Sequence, residues 1–236
     1  MNIKKGINGS TLKIIAVITM IVDHIGAVIL NNLLHFSNGV LIHDSIYIWY
    51  RICRAVGRSA FPIFCFLLVE GFLHTHNVKK YGERLLLFAF ISEIPFDLAV
   101  SGTICNMRSQ NVFFTLFIGL LVLIGFRELE QREIGNSLKF GYIIILLLGI
   151  VVSILLFTDY SAFGIISIAV LYLYRNNRKY QILMGACSFL WEPFALLGFI
   201  PVAFYNYERG LRLKYFFYIF YPLHLFLLYE ISLYVK

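Results

Sequence analysis

The sequence predicts an all-α protein, a polytopic membrane helix bundle of about nine segments in a single domain spanning residues 1–236. Three observations carry that expectation. Of 236 residues, 60% are hydrophobic and only 14% charged, with 23 Phe and 15 Tyr, and the mean hydropathy is +0.80, far from a soluble domain. Long unbroken apolar runs such as Tyr142 to Phe157 exclude a β-barrel, in which lipid-facing and lumen-facing residues alternate along each strand. The Lys and Arg residues behind the net charge of +7 sit in short stretches between apolar runs, so the charge encodes topology and gives no nucleic-acid footprint.

The first segment, Leu12 to Leu34, follows Lys4 and Lys5. It exceeds the apolar core of a signal peptide, contains Asp23 and His24 and lacks a small-x-small cleavage site, so it is expected to be retained. Basic residues before it place the N-terminus in the cytoplasm by the positive-inside rule, with the lipid bilayer as the first partner. The loop His35 to Asp44 then lies outside. Ser45 to Val56 reads as an amphipathic or re-entering helix ahead of a span from Ser59 to His74. A basic loop with Lys79, Lys80 and Arg84 returns inside, Leu85 to Val100 goes out, and Val112 to Phe126 comes back to a loop with Arg127, Arg132 and Lys139. Phe140 to Phe157 leads to a turn at Thr158–Ser161, and Ala162 to Tyr174 returns to Arg175, Arg178 and Lys179. Tyr180 to Leu190 and Phe194 to Tyr205 are each short for a crossing and read as a hairpin around Trp191-Glu192-Pro193. After Arg209, Arg212 and Lys214 the last span, Phe216 to Val235, ends outside.

Ionisable residues inside apolar spans are the candidates for function. An acidic residue at the bilayer centre costs roughly 2.5 to 3.5 kcal/mol, so Asp23 and His24 must face other helices or a cavity. Lys13 and His24 are eleven residues apart, close to three turns, which places them on one stripe roughly 16 Å apart along the helix. Glu70, Glu93, Asp97 and His224 are the other intramembrane ionisable groups. Arg51, Arg54 and Arg58 share a helical face on the predicted outer side, suited either to holding buried carboxylates or to gripping phosphate or pyrophosphate. His224, in Tyr221-Pro222-Leu223-His224, either caps the carbonyl that the proline frees or joins the site. His35, His43, His74 and His76 read as solvated. The four cysteines lack CxxC or ligand spacing, and no metal site is expected.

The stretches Leu12-Lys13-Ile14-Ile15-Ala16 through Asp23-His24-Ile25-Gly26, Gly57-Arg58-Ser59-Ala60-Phe61-Pro62-Ile63-Phe64, Val69-Glu70-Gly71-Phe72, Ser92-Glu93-Ile94-Pro95-Phe96-Asp97 and Phe220-Tyr221-Pro222-Leu223-His224-Leu225 closely resemble the TraX family over nearly the whole chain. That family is named for a conjugative-plasmid protein that acetylates the N-terminus of F-type pilin, and it looks like a distant branch of the transmembrane acyltransferases. Acyltransferases of the type-three kind carry a basic residue, ten residues and then a histidine in their first span, a spacing that Lys13 and His24 reproduce. The resemblance implies acetyl-CoA as donor, with basic residues contacting its phosphates. Those acyltransferases also carry an Arg-x-x-Arg at the cytoplasmic edge after an early span; here Arg51-Ile52-Cys53-Arg54 has the letters but falls on the predicted outer side, while Lys80 and Arg84 have the location but not the letters.

The chemistry of the residues runs the same way. Acyl transfer to an amine or hydroxyl needs a base, and histidine suits that work near neutrality, so His24 is the expected base and His224 and Asp23 its candidate companions. Lys13, Arg51, Arg54, Arg58, Glu70 and Asp97 are the candidate substrate-binding residues. Asp23 diverges from His24 by about 100 degrees and is expected to pair with an arginine. No Gly-x-Ser-x-Gly or catalytic-Cys pattern suggests a covalent acyl-enzyme. The expected acceptor is a pilin-like or cell-surface molecule. The competing reading is a proton-coupled transporter or flippase with His24, Glu70, Asp97 and His224 as a relay.

Overall fold

A computed structural model describes residues 6–36, 40–132, 135–211 and 214–235. Lys4, Lys5 and Arg212, which enter the topology expectation, lie outside the described residues. Among those residues the fold is all-α, with no strand and two isolated backbone bridges, Ile7 to Tyr205 and Gln110 to Thr158. Five helical stretches are long and apolar enough to cross a membrane: Gly9–His35, His43–His74, Val112–Arg132, Asn136–Leu155 and Tyr215–Tyr234. Two shorter apolar helical stretches, Ser161–Leu173 and Pro193–Ala203, accompany them, and together they mark a membrane protein.

The first span is built from α1 (Gly9–His24), a π-helical turn (Ile25–Leu30) and α2 (Asn31–Phe36). Asn8 caps its start, accepting from the Thr11 amide at 2.9 Å. The π register, in which the Asn31 amide reaches back five residues to the Gly26 carbonyl, begins directly after His24. Helix α3 (Val40–Gly57) occupies much of the predicted His35 to Asp44 loop, and α4 (Ala60–His74) follows after one turn with Pro62 near its start.

The expected basic loops are largely helix. Lys79, Lys80 and Arg84 lie in the opening turns of α5 (Val78–Ser101), and Arg127 and Arg132 extend α6 (Val112–Arg132) beyond Phe126. Lys139 lies in α7 (Asn136–Leu155). A charged helix end keeps its backbone bonds while projecting past the hydrocarbon, so hydropathy ends the span before the helix stops. After α8 (Ser161–Leu173), α9 (Arg178–Cys187) is separated from a 3₁₀ turn (Pro193–Gly198) and α10 (Phe199–Ala203) by a break around Trp191 and Glu192. Helix α11 (Lys214–Tyr234) closes the chain.

The contacts group these elements into two compact units. The first comprises Met1–Phe64, Ser92–Cys105 and Leu190–Lys236, the second Cys65–Ile91 and Asn106–Phe189. In the first, α1 and α3 run antiparallel. Gly26 packs on Cys53 and Arg54, and Gly57 packs directly on the Asp23 side chain, where an added Cβ would collide. Segment 204–211 straps the start of α1: the Ile7 amide donates to the Phe204 carbonyl at 2.8 Å, and the Leu211 amide to Ser10 Oγ at 3.0 Å. Gly210, at φ +71°, passes against Ser10 with no room for a side chain.

The second unit carries a half-buried charged cluster. Glu130 on α6 accepts from Tyr142 of α7 at 2.7 Å and from Tyr172 of α8 at 3.0 Å, and Arg175 Nη2 donates to both its oxygens at 2.9 Å. The Arg175 guanidinium also lies 3.9 Å over the Tyr172 ring. One carboxylate thereby joins three consecutive helices.

Candidate functional site

His24 and His224, on the first and last helices, meet side chain to side chain, with His24 Nδ1 2.7 Å from His224 Nε2. His224 Nδ1 lies 2.9 Å from the Phe220 carbonyl. A carbonyl oxygen only accepts, so His224 Nδ1 carries the hydrogen, and in the neutral ring Nε2 is then bare. It follows that His24 Nδ1–H donates to His224 Nε2, and that His24 Nε2 is left with a free lone pair. The chain of hydrogen bonds fixes one tautomer on each ring.

The sequence places each part of this arrangement for a reason. Phe220 stacks on the His224 ring at 5.1 Å with an interplanar angle of 8°, and Tyr221 meets His24 edge-on at 6.1 Å, so aromatic neighbours hold both imidazoles. Pro222 removes an amide from α11 and frees the Tyr218 carbonyl, but His224 bonds the Phe220 carbonyl, not the one the proline frees. Lys13 reaches α11 one segment lower, 5.5 Å from the Phe217 ring centroid. Helices α1 and α11 therefore run in the same direction along this face.

Beside the pair, Arg54 Nη1 donates to Asp23 Oδ2 at 2.6 Å. The second oxygen, Asp23 Oδ1, is enclosed without a hydrogen-bond partner among the described residues. Because α3 runs back along α1, Arg54 and Arg58 lie level with the middle of the first span. Arg58 Nε faces Glu192 Oε2 at 3.4 Å. These groups open into a cleft of about 260 Å³ lined by Tyr50, Arg51, Arg54, Ala55, Arg58, Glu192 and Phe194.

Of the other candidates, Asp97 is buried on α5 in the first unit, and Glu70 and its 3.9 Å approach to His74 belong to the second. His35, His43, His74 and His76 are exposed. No third ligand accompanies His24 and His224 in a metal-type cluster among the described residues. Sequence reasoning passed over Glu192, although it is the one charged residue in 180–205 and the criterion that singles out Asp23 applies to it equally. It also passed over Glu130, because Arg127-Glu128-Leu129-Glu130 reads as a loop once hydropathy falls at Phe126.

The fold and this site define a helical membrane protein whose first and last helices join through a hydrogen-bonded histidine pair. The family model described as TraX protein matches residues 8–232, and the chain belongs to the TraX family. It is similar to the probable fimbrial assembly protein FimC, serogroup H1, of Dichelobacter nodosus, with 30% identity over an alignment of 256 residues covering 95% of this chain and 96% of that protein. No solved structure matches.

Proposed function

We propose that the protein is an acyltransferase of the bacterial cytoplasmic membrane that moves an acetyl group from acetyl-CoA to an amine or hydroxyl. One observation carries the reading: the hydrogen-bond chain from Phe220 through His224 leaves His24 Nε2 as a bare, oriented base inside a membrane protein. In the proposed reaction the acceptor gives its proton to His24 Nε2 as its nitrogen or oxygen attacks the thioester carbonyl. The tetrahedral intermediate then collapses, the carbon–sulfur bond breaks, and the CoA thiolate takes the proton from the imidazolium. His224 acts by accepting from His24 Nδ1–H while the ring is charged.

The similarity to a protein named for fimbrial assembly supports a pilin-like or other surface acceptor. With the N-terminus in the cytoplasm, α1 and α11 both run outward, donor enters from inside and acceptor from outside. Asp159 is exposed at the predicted outer turn whereas Thr158 is buried, so Asp159→Cys is the labelling site. In a background lacking the exposed Cys105 and Cys187, Asp159→Cys reacts with an impermeant reagent from outside and Asn177→Cys does not. The reverse pattern overturns the orientation.

The test of function is mass spectrometry of pilins and surface polymers from cells with and without the protein, followed by transfer from acetyl-CoA to the identified acceptor. A 42 Da increment, roughly one acetyl group, that depends on the protein and on His24 is expected. Proton flux without any use of acetyl-CoA would favour the transporter reading instead.

A further inference from the structure

We propose that the arginine cleft holds the phosphate of a bilayer phospholipid, with Arg51 as its principal contact and the acyl chains lying along Ile52 and Val56 of α3. Among the described residues the charges in the cleft do not balance. Asp23 takes Arg54, and Glu192 faces Arg58, but Arg51 has no ion pair or hydrogen bond among the described residues. A guanidinium within a membrane span is normally paired, so the site is one anion short. The cleft provides a guanidinium fork with two further arginines behind it, and this planar geometry matches a phosphate through paired N–H donors.

The surroundings select an amphiphile. Deeper than Arg51, towards the end of α3, Ile52 and Val56 are exposed, and Phe194 forms an exposed apolar rim on the other side. A soluble anion would leave this apolar border bare. A phospholipid covers it while its phosphate neutralises Arg51. Depth agrees. From the contacts of Arg54 with Asp23 and of Cys53 with Gly26, Arg51 lies about 10 Å below the end of the first span at His35. An arginine at that depth extends its guanidinium towards the headgroup layer on its apolar stem.

The full-length protein, extracted from membranes in mild detergent, tests this by native mass spectrometry, which counts bound phospholipid without any turnover and so stands apart from the acyl-transfer reading. The unmodified chain is expected to retain about one phospholipid. Arg51→Gln is expected to lose it, Arg51→Lys to retain it in a smaller fraction of molecules, and Lys79→Gln, at the exposed start of α5, to match the unmodified chain. Size-exclusion chromatography establishes that each variant is folded, and if Arg51→Gln is not, the Lys variant decides. Equal retention by the unmodified chain and the Arg51 variants overturns the proposal. So does displacement of the lipid by coenzyme A or inorganic pyrophosphate, which would assign the cleft to a soluble phosphate ester.

Discussion

Glu130 and Asp23 are both carboxylates on apolar helices, each bonded to an arginine, yet their surroundings differ in one respect. Glu130 has every lone-pair direction engaged by two tyrosine hydroxyls and a guanidinium that reaches both oxygens. Among the described residues Asp23 has one hydrogen bond, an enclosed oxygen without a partner, an open cleft of about 260 Å³ nearby and, one residue on, a histidine with a bare nitrogen. A saturated charge network has no capacity left for a ligand or a proton, and its whole effect is to fasten helices. An unsaturated one is weaker as a fastener and keeps groups available for chemistry.

That contrast predicts opposite consequences of mutation. Glu130→Ala leaves Arg175 and two tyrosine hydroxyls without their acceptor and should cost about 3 to 5 kcal/mol, read as a collapse in folded yield or melting temperature in detergent. A variant that folds normally would mean the cluster is not a fastener. Next, His24→Gln should fold at normal yield and lose acetyl transfer by roughly 100-fold or more, because the amide cannot take a proton at neutral pH. An active, folded His24→Gln enzyme refutes the base assignment.

Smaller effects follow for the supporting groups. His224→Ala removes the acceptor for His24 Nδ1–H, a hydrogen bond to a charged ring, and should lower transfer about 10- to 100-fold in turnover with little change in acceptor KM. A change confined to KM would place His224 in binding. Tyr142→Phe deletes one of the donors to Glu130 and should lower stability by about 1 kcal/mol while leaving transfer untouched. His35→Gln, exposed at the end of the first span, should do neither, and a loss of activity there would show that the site extends further than His24.

The parts of this comparison differ in how far they can be read from the sequence. Helical class and most spans are legible because lipid imposes continuous hydropathy, and Asp23, His24 and His224 stand out because ionisable groups within such runs are expensive. Helix ends are not legible in the same way: Arg127 to Arg132 and Lys79 to Arg84 continue their helices beyond the apolar stretch. The π turn after His24, where Gly26 packs against α3, is announced by no periodicity in Ile25-Gly26-Ala27-Val28. The meeting of His24 with His224 and the depth of Arg54 are tertiary facts, set by which helices run side by side and in which direction.

The separation of the two histidines along the chain also sets an order of events during synthesis. Asp23 acquires Arg54 after 31 residues, soon enough for the two to enter the bilayer nearly together. His24 must wait for a residue 200 positions later, which at about 5 to 20 residues per second is a delay of about 10 to 40 seconds. Throughout that interval the nascent protein carries a membrane-embedded imidazole with no His224 to fix its tautomer, and the histidine pair is completed only when the final helix leaves the ribosome. Chains cut short anywhere before that helix therefore lack the histidine pair.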